Sequence, residues 1–124
     1  PLIRIPAPRG EATRIELRMP DPACNPYLAF AAMLRAGLDG LDNDLDPGAP
    51  VSKNIYKMSQ RERRSLRIDE LPHNLDAALD QLERSALMRD TLGDHIFEHF
   101  IEAKRREWFE YLQQVSAWEI QRYL

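Results

Sequence analysis

The sequence is poor in several features that mark particular classes of protein. It has one cysteine, Cys24, which excludes an internal disulfide framework and favours a reducing compartment. No apolar run reaches the roughly 20 residues that a membrane helix needs, and no signal or transit peptide is visible. The net charge of −3 leaves no basic excess for nucleic acid. We therefore expect a cytoplasmic protein that binds neither nucleic acid nor a membrane.

Proline is almost absent from the second half of the chain. Eight of the nine prolines lie within residues 1–50, and only Pro72 follows. This distribution predicts an α+β fold that is mostly helical, with a short N-terminal β-hairpin followed by a helical region. The 124 residues suffice for one domain or a piece of one. Because the chain begins with Pro1 and its first residues already resemble a strand, we expect it to be part of a longer protein whose sheet the hairpin joins.

Two short strands are predicted within residues 1–22. Leu2–Ile5 is mostly apolar, and Pro8–Glu11 has the composition of a turn. In Thr13–Met19 the side chains alternate between a charged face and an apolar face. The two segments are therefore predicted to pair as a hairpin, and the prolines that follow are predicted to end the second strand.

A long apolar stretch follows the predicted hairpin. It begins with Asn-Pro, a typical helix start, and predicts a core helix over residues 25–41. Gly37 and Gly40 are predicted to allow close packing of that helix against its neighbours. Residues 42–73 are predicted to be loops with a short helix, since they combine acidic, basic and turn-forming residues.

Residues 74–124 are predicted to form a helical tail. Asn74, Ser85 and Ser116 are suitable caps for three helix starts, and one helix is predicted to end near Gly93. The longest helix is then predicted to run to about Val115. The end of the chain is rich in aromatic residues, which predicts that it docks onto another subunit.

Three motifs could carry chemistry but are incomplete. His95–His99 matches the H-x-x-E-H pattern of zinc proteases, yet no third ligand follows in a defined context. Asp42, Asp44 and Asp46 lack the glycine and the glutamate of a calcium loop. Cys24 precedes a helix and could act as a nucleophile, but no histidine is near in sequence. For each motif an ordinary structural role is favoured.

Residues 53–67 form a basic segment. Its cations are Lys53, Lys57, Arg61, Arg63, Arg64 and Arg67, against the single carboxylate of Glu62. A solvated loop and short helix are favoured over a surface for an acidic partner, because no aromatic side chains alternate with these charges. A non-enzymatic interaction module that uses this segment and the helical tail remains an alternative.

A charged strand face is the strongest indication of chemistry. Arg14, Glu16 and Arg18 alternate along one predicted strand, and Arg4 can join them from the other. If this face is exposed, it is an ordinary polar sheet face. If it is enclosed, its charges need strong partners, and a metal-bound phosphate substrate would supply them. The second arrangement suits phosphoryl transfer.

These residues belong to a longer pattern. The pattern comprises Ile3-Arg4-Ile5-Pro6, Arg14-Ile15-Glu16-Leu17-Arg18, Pro20-Asp21-Pro22 and Asn25-Pro26-Tyr27-Leu28, and continues through Lys53-Asn54-Ile55-Tyr56 and His99-Phe100-Ile101-Glu102-Ala103-Lys104. It resembles the C-terminal part of class I glutamine synthetase over essentially the whole chain. The resemblance implies that residues 1–124 are a C-terminal portion of that family's catalytic domain, in which residues 1–22 are active-site strands.

The resemblance implies specific roles for the charged face. The family joins glutamate and ammonia by using ATP, through γ-glutamyl phosphate, and requires Mg²⁺ or Mn²⁺. Arg4 matches an arginine on the ATP phosphates, and Arg14 matches one near the nucleotide and the transferred phosphate. Arg18 matches the arginine that contacts the glutamate substrate. Glu16 matches a divalent-metal ligand.

The resemblance also implies what lies outside this chain. The other metal ligands, the ammonia site and the N-terminal domain of the family precede it, so the isolated chain is predicted to be inactive. Because the acceptor pocket is among the missing parts, a related ligase for a polyamine or methylamine remains an alternative. The family forms homo-oligomers of two stacked hexameric rings, and we expect the isolated chain to self-associate. Tyr56 lies where some members are adenylylated, although an unmodified tyrosine is favoured here.

Overall fold

The computed structural model describes residues 2–7, 9–51 and 53–124. Pro1 and Pro8, which belong to the predicted strands and their turn, lie outside the described residues, as does Ser52. The strands are β1 (Ile3–Arg4) and β2 (Glu16–Leu17), and the helices are α1 (Pro26–Asp42), α2 (Gln60–Ser65), α3 (Leu75–Glu83), α4 (Ala86–Leu112) and α5 (Ala117–Tyr123). Single 3-10 turns occupy Gly10–Ala12 and Ile55–Lys57. The predicted fold class, mostly helical with an N-terminal hairpin, is confirmed.

The hairpin is antiparallel but shorter than the predicted one. Ile3 lies opposite Leu17, and Arg4 lies opposite Glu16. The backbone N–H of Arg18 donates to the carbonyl of Leu2 at 2.8 Å, which extends the contact slightly beyond the strands. Of the strand predicted over Thr13–Met19, only Glu16 and Leu17 pair as a strand. Their partner strand, β1, is also only two residues long, so it offers no further pairing.

Helix α1 begins where the sequence predicts. The Asn25 side chain accepts hydrogen bonds from the backbone N–H groups of Tyr27 at 3.0 Å and Leu28 at 3.4 Å, and Pro26 occupies the first turn. Helix α4 packs against one side of α1. None of the α1 residues is buried in this chain, and Tyr27 is 84% exposed. The core position predicted for this helix therefore stays a prediction for the longer protein.

The core of the described chain lies between α3 and α4. Leu79, Phe97 and Ile101 are buried there, and Phe97 is the most completely enclosed. The partly buried residues around them are Leu75, Leu82, Met88, Leu92 and Phe100. Arg105 of α4 reinforces this contact by donating to three carboxylates of α3. Its partners are Asp76, Asp80 at 2.6 Å and Glu83 at 3.0 Å.

Helix α4 is interrupted at Gly93. This glycine has φ 72° and ψ 153°, a backbone conformation that lies outside the helical region and is essentially restricted to glycine. Arg89 spans the interruption, donating to Asp94 at 2.6 Å and to Glu98 at 3.0 Å while its guanidinium lies 4.4 Å from the Phe97 ring centroid. The predicted boundary near Gly93 is confirmed, and the helix ends at Leu112, slightly before the predicted Val115.

Helix α5 is held by a capping box and is exposed. The Ser116 side chain accepts from the Glu119 N–H, and the Glu119 carboxylate accepts from the Ser116 N–H at 2.7 Å. Trp118 and Tyr123 remain largely exposed. Among the helices of the described ranges, none combines the length and apolar character needed to cross a membrane.

Candidate functional site

The hairpin brings three arginines onto one carboxylate. Arg4 reaches Glu16 across the strand pair, with 2.9 Å between its Nη1 and Oε2. Arg14 lies two residues before Glu16, and Arg18 lies two residues after it. Because side chains alternate along an extended chain, those of Arg14, Glu16 and Arg18 share one face. The Nη2 atoms of Arg14 and Arg18 lie 2.9 Å from Oε1 and 3.2 Å from Oε2, respectively. We call Arg4, Arg14, Glu16 and Arg18 the arginine cluster.

The arginine cluster is accessible and strongly positive. The Glu16 side chain is 25% exposed, whereas each arginine side chain is about half exposed. The hydrogen bond from Arg4 is the main cause that holds the pKa of Glu16 below its ordinary value; partial desolvation opposes it, and the hydrogen bonds from Arg18 and Arg14 add to the lowering. Glu16 is therefore ionised at neutral pH. Since one carboxylate faces three guanidinium groups, the cluster keeps an excess of positive charge.

The donors of the cluster fit an anion better than they fit a complete metal centre. Each guanidinium has five N–H donors, and the contacts with Glu16 use few of them, so phosphate or carboxylate oxygens can be bound as well. Glu16 is a hard oxygen ligand suited to Mg²⁺ or Mn²⁺. Over residues 2–7, 9–51 and 53–124, however, no group of three or more metal-ligating side chains is assembled. Within the described ranges Glu16 therefore stands as a single possible oxygen ligand and not as part of a complete metal centre.

Comparison with known proteins identifies the family. A family model described as the catalytic domain of glutamine synthetase matches residues 1–123. The chain belongs to the glutamine synthetase family. The glutamine synthetase of Methanosarcina mazei is 54% identical over 123 residues, and those of Methanococcus maripaludis and Thermotoga maritima are each 53% identical. Each alignment covers 99% of this chain but only 28% of the relative, and the matched part is C-terminal in those proteins.

Asp21 and Asn25 connect the cluster to α1, and of these two only the contacts of Asp21 were not predicted from the sequence. Asp21 accepts a hydrogen bond from the Ala23 N–H on its side chain at 2.7 Å, and its carbonyl accepts from the Cys24 N–H at 2.9 Å. Asn25 then caps the helix. The Asp-Pro dipeptide is a known turn signal, and it could have indicated this connection beyond its role in ending β2.

The zinc-protease pattern on α4 is not assembled as a protease site. Glu98, the expected base, accepts a hydrogen bond from Arg89 at 3.0 Å. His95 and His99 have adjacent rings, but the described part of the chain brings no third ligand to them. The favoured interpretation, two exposed histidines on a helix, agrees with this geometry.

Cys24 is exposed and is one of the residues that line a largely apolar cavity of about 510 Å³ between α1, α3 and α4. Leu28, Leu92, Phe100 and Lys104 are among its lining residues. The described lining contains no histidine that could activate the thiol. The geometry gives no support for nucleophilic catalysis by Cys24.

The remaining candidates lie in the loops between α1 and α3. Tyr56 is 88% exposed within a 3-10 turn whose start is capped by Asn54, so its hydroxyl is accessible in this chain. In the basic segment, Ser59 and Glu62 form a capping box that starts α2, as the predicted short helix requires. Asp46 accepts from the Gly48 N–H at 2.8 Å, a local turn contact that fits a structural loop.

Proposed function

We propose that this chain forms one corner of the active site of an ATP-dependent ligase that makes glutamine from glutamate and ammonia through γ-glutamyl phosphate. The observation that carries the proposal is the convergence of Arg4, Arg14 and Arg18 on Glu16. Transfer of a phosphoryl group concentrates negative charge, and oriented guanidinium groups stabilise that charge. Membership of the glutamine synthetase family supports the same reaction.

Each member of the arginine cluster has a proposed role. Arg4 and Arg14 bind the ATP phosphates, because their planar guanidinium groups match phosphate oxygens. Arg18 binds a carboxylate of the glutamate substrate. Glu16 supplies one ligand to Mg²⁺ or Mn²⁺, which polarises phosphoryl oxygens when it is bound. In this chain the same carboxylate also orients the three arginines before substrate arrives.

Substitutions in the longer protein test these roles. We expect Arg18→Gln to raise KM for glutamate more than KM for ATP, and Arg4→Gln to do the reverse. The matched control is Arg106→Gln, since Arg106 is an exposed arginine with one carboxylate partner, Glu102 at 3.2 Å. Steady-state kinetics with each substrate varied in turn measures the difference. Unchanged KM values in both cluster variants would contradict the proposed roles.

The isolated chain provides a second test. It spans 28% of the length of its relatives, and its described part assembles no group of three or more metal-ligating side chains, so we expect no ATP-dependent glutamine formation from it. A coupled assay for ADP release, with and without glutamate and ammonia, measures this activity. Measurable turnover by the purified chain would show that the arginine cluster needs no partner residues.

The acceptor is proposed to be ammonia. The three relatives described above are all named glutamine synthetase, whereas the arginine cluster serves only the activation of glutamate, which ligases for other amines share. Assays of the longer protein with ammonia, methylamine and a polyamine discriminate the alternatives. Greater kcat/KM with either organic amine would assign the protein to a related γ-glutamyl ligase.

The longer protein is proposed to act in the cytoplasm as a homo-oligomer, a dodecamer by analogy with the family. The exposed aromatic residues of α5 support docking of this helix onto another subunit.

Tyr56 is proposed to remain unmodified, although its exposure makes it accessible to a modifying enzyme. Mass spectrometry of the native protein tests this, and an adenylyl mass on the Tyr56 peptide would contradict it.

A further inference from the structure

A histidine pair on α4 lies outside the arginine cluster and has no role in the proposed ligase reaction. His95 and His99 are both exposed, and their ring centroids lie 4.2 Å apart. Because the two histidines are four positions apart on a helix, both side chains leave the same face. We propose that this pair forms an exposed binding site for a divalent transition-metal ion of the Zn²⁺ and Ni²⁺ class.

The backbone presents one ring in the form that binds a metal. His99 Nδ1 lies 2.8 Å from the carbonyl oxygen of His95. A carbonyl only accepts hydrogen bonds, so Nδ1 carries the proton and Nε2 keeps its lone pair. Histidines that ligate metals commonly donate their other ring N–H to a backbone carbonyl in this way. His99 is therefore oriented as a ligand without any other residue.

The spacing of the two rings suits one shared ion. Zinc–nitrogen bonds of about 2.0–2.1 Å place two nitrogens on a tetrahedral ion about 3.3 Å apart. The rings, whose centroids lie 4.2 Å apart with planes tilted by 39°, are close enough for one ion to lie between their nitrogens once the side chains turn toward it.

The site is open and differs in selectivity from the arginine cluster. Glu98 is held by Arg89, and residues 2–7, 9–51 and 53–124 assemble no third ligand, so the other coordination positions of a bound ion would be left to water. An open site of this kind exchanges its ion and is neither a structural zinc centre nor a protease centre. Imidazole nitrogens favour Zn²⁺, Ni²⁺ and Cu²⁺, whereas Mg²⁺ prefers the oxygen of a residue such as Glu16.

Equilibrium dialysis of the full-length protein against Zn²⁺, in excess Mg²⁺, tests the site. We expect wild-type protein to retain one more zinc per chain than His95→Gln or His99→Gln, because a single imidazole does not chelate. Glutamine keeps a good helix propensity, so both variants should fold, and circular dichroism checks this. Equal zinc content in wild type and both variants would overturn the proposal.

Two matched controls separate the pair from other zinc-binding groups. His73→Ala removes another exposed histidine, whose nearest carboxylate is Glu70 at 3.9 Å, and Glu98→Gln removes the carboxylate of the protease pattern. Both controls should keep the extra zinc. If Glu98→Gln loses that zinc, the site includes the Glu98 carboxylate and the proposal of a two-histidine site is wrong. If His73→Ala loses it, the zinc binds at His73 and not at the histidine pair.

Discussion

Glu16 shows how one side chain organises its surroundings. It lies between three guanidinium groups that would otherwise repel each other, and it touches each at 3.2 Å or less. The carboxylate therefore performs a local structural task in addition to its proposed role as a ligand. Removing its charge should affect the hairpin before any substrate is considered.

The pH dependence of the hairpin follows from Glu16. Its pKa in the folded chain lies below the ordinary value of 4.5, so its stabilising contribution is present above that value and is lost as pH falls through the lower, folded pKa. We expect the backbone amide shifts of β1 and β2 to change in that acidic range. NMR titration of the chain measures the change. Glu16→Gln should lack this step, and an identical titration in that variant would contradict the assignment.

The interrupted helix α4 shows what single glycines contribute to an element. Gly93 adopts a positive φ, whereas Gly40 lies in the regular helix α1. In the described part of the chain, no atom outside the local backbone lies within 4 Å of where a Cβ would stand at either position. Any difference between the two sites in this chain is therefore conformational and not steric.

Alanine at these two glycines should have opposite effects on the isolated chain. Gly93→Ala should lower the free energy of unfolding by about 1–3 kcal/mol, because alanine is strained in that backbone conformation. Gly40→Ala should raise it by about 0.5–1 kcal/mol, because alanine loses less backbone freedom in a helix. Urea unfolding followed by circular dichroism measures both changes.

The same substitutions test a further prediction in the longer protein. Close packing at Gly40, which the sequence predicts, would make alanine destabilising there even though it stabilises the isolated chain. Destabilisation by Gly40→Ala in both proteins, or no effect of Gly93→Ala in either, would contradict the conformational explanation.

Local chemistry made most element boundaries predictable. Asn25, Asn74, Ser85 and Ser116 all cap the helices that the sequence assigns to them, because a cap depends on neighbouring backbone groups. The contacts of Arg105 were not predictable, since they join residues 22 to 29 positions apart through the packing of α3 on α4.

The charged face was predictable in part. Alternation along β2 placed Arg14 and Arg18 beside Glu16, as the periodicity of a strand requires. The contribution of Arg4 depended on the strand register, which sets it opposite Glu16. A register shift of one residue would have turned its side chain to the other face, and two strands of two residues carry too little pattern to decide this.

At the scale of the whole molecule, many large apolar side chains are exposed, whereas few are buried in the small core. Phe30, Leu34 and Leu41 remain mostly exposed on α1, as do Trp118 and Tyr123 on α5. Large exposed apolar surfaces mark contacts with other protein. The relatives are more than three times longer than this chain, so the missing part and other subunits are the expected cover.

The isolated chain should therefore self-associate. We expect its mean mass in light scattering to rise with concentration, because apolar faces of α1 and α5 from different molecules can cover each other. Phe30→Glu combined with Leu34→Glu should reduce the association, since both side chains are exposed and their replacement removes no described core residue. A monomer whose mass is independent of concentration would contradict this expectation.

The contacts of Glu16 have a thermodynamic consequence for ligand binding. One carboxylate serves as the counter-ion of three arginines. A cation that draws this carboxylate away leaves the arginines in need of another anion, and an anion that engages the arginines frees the carboxylate for a cation. Each ligand therefore removes part of the cost of binding the other, and by reciprocity the two affinities rise together.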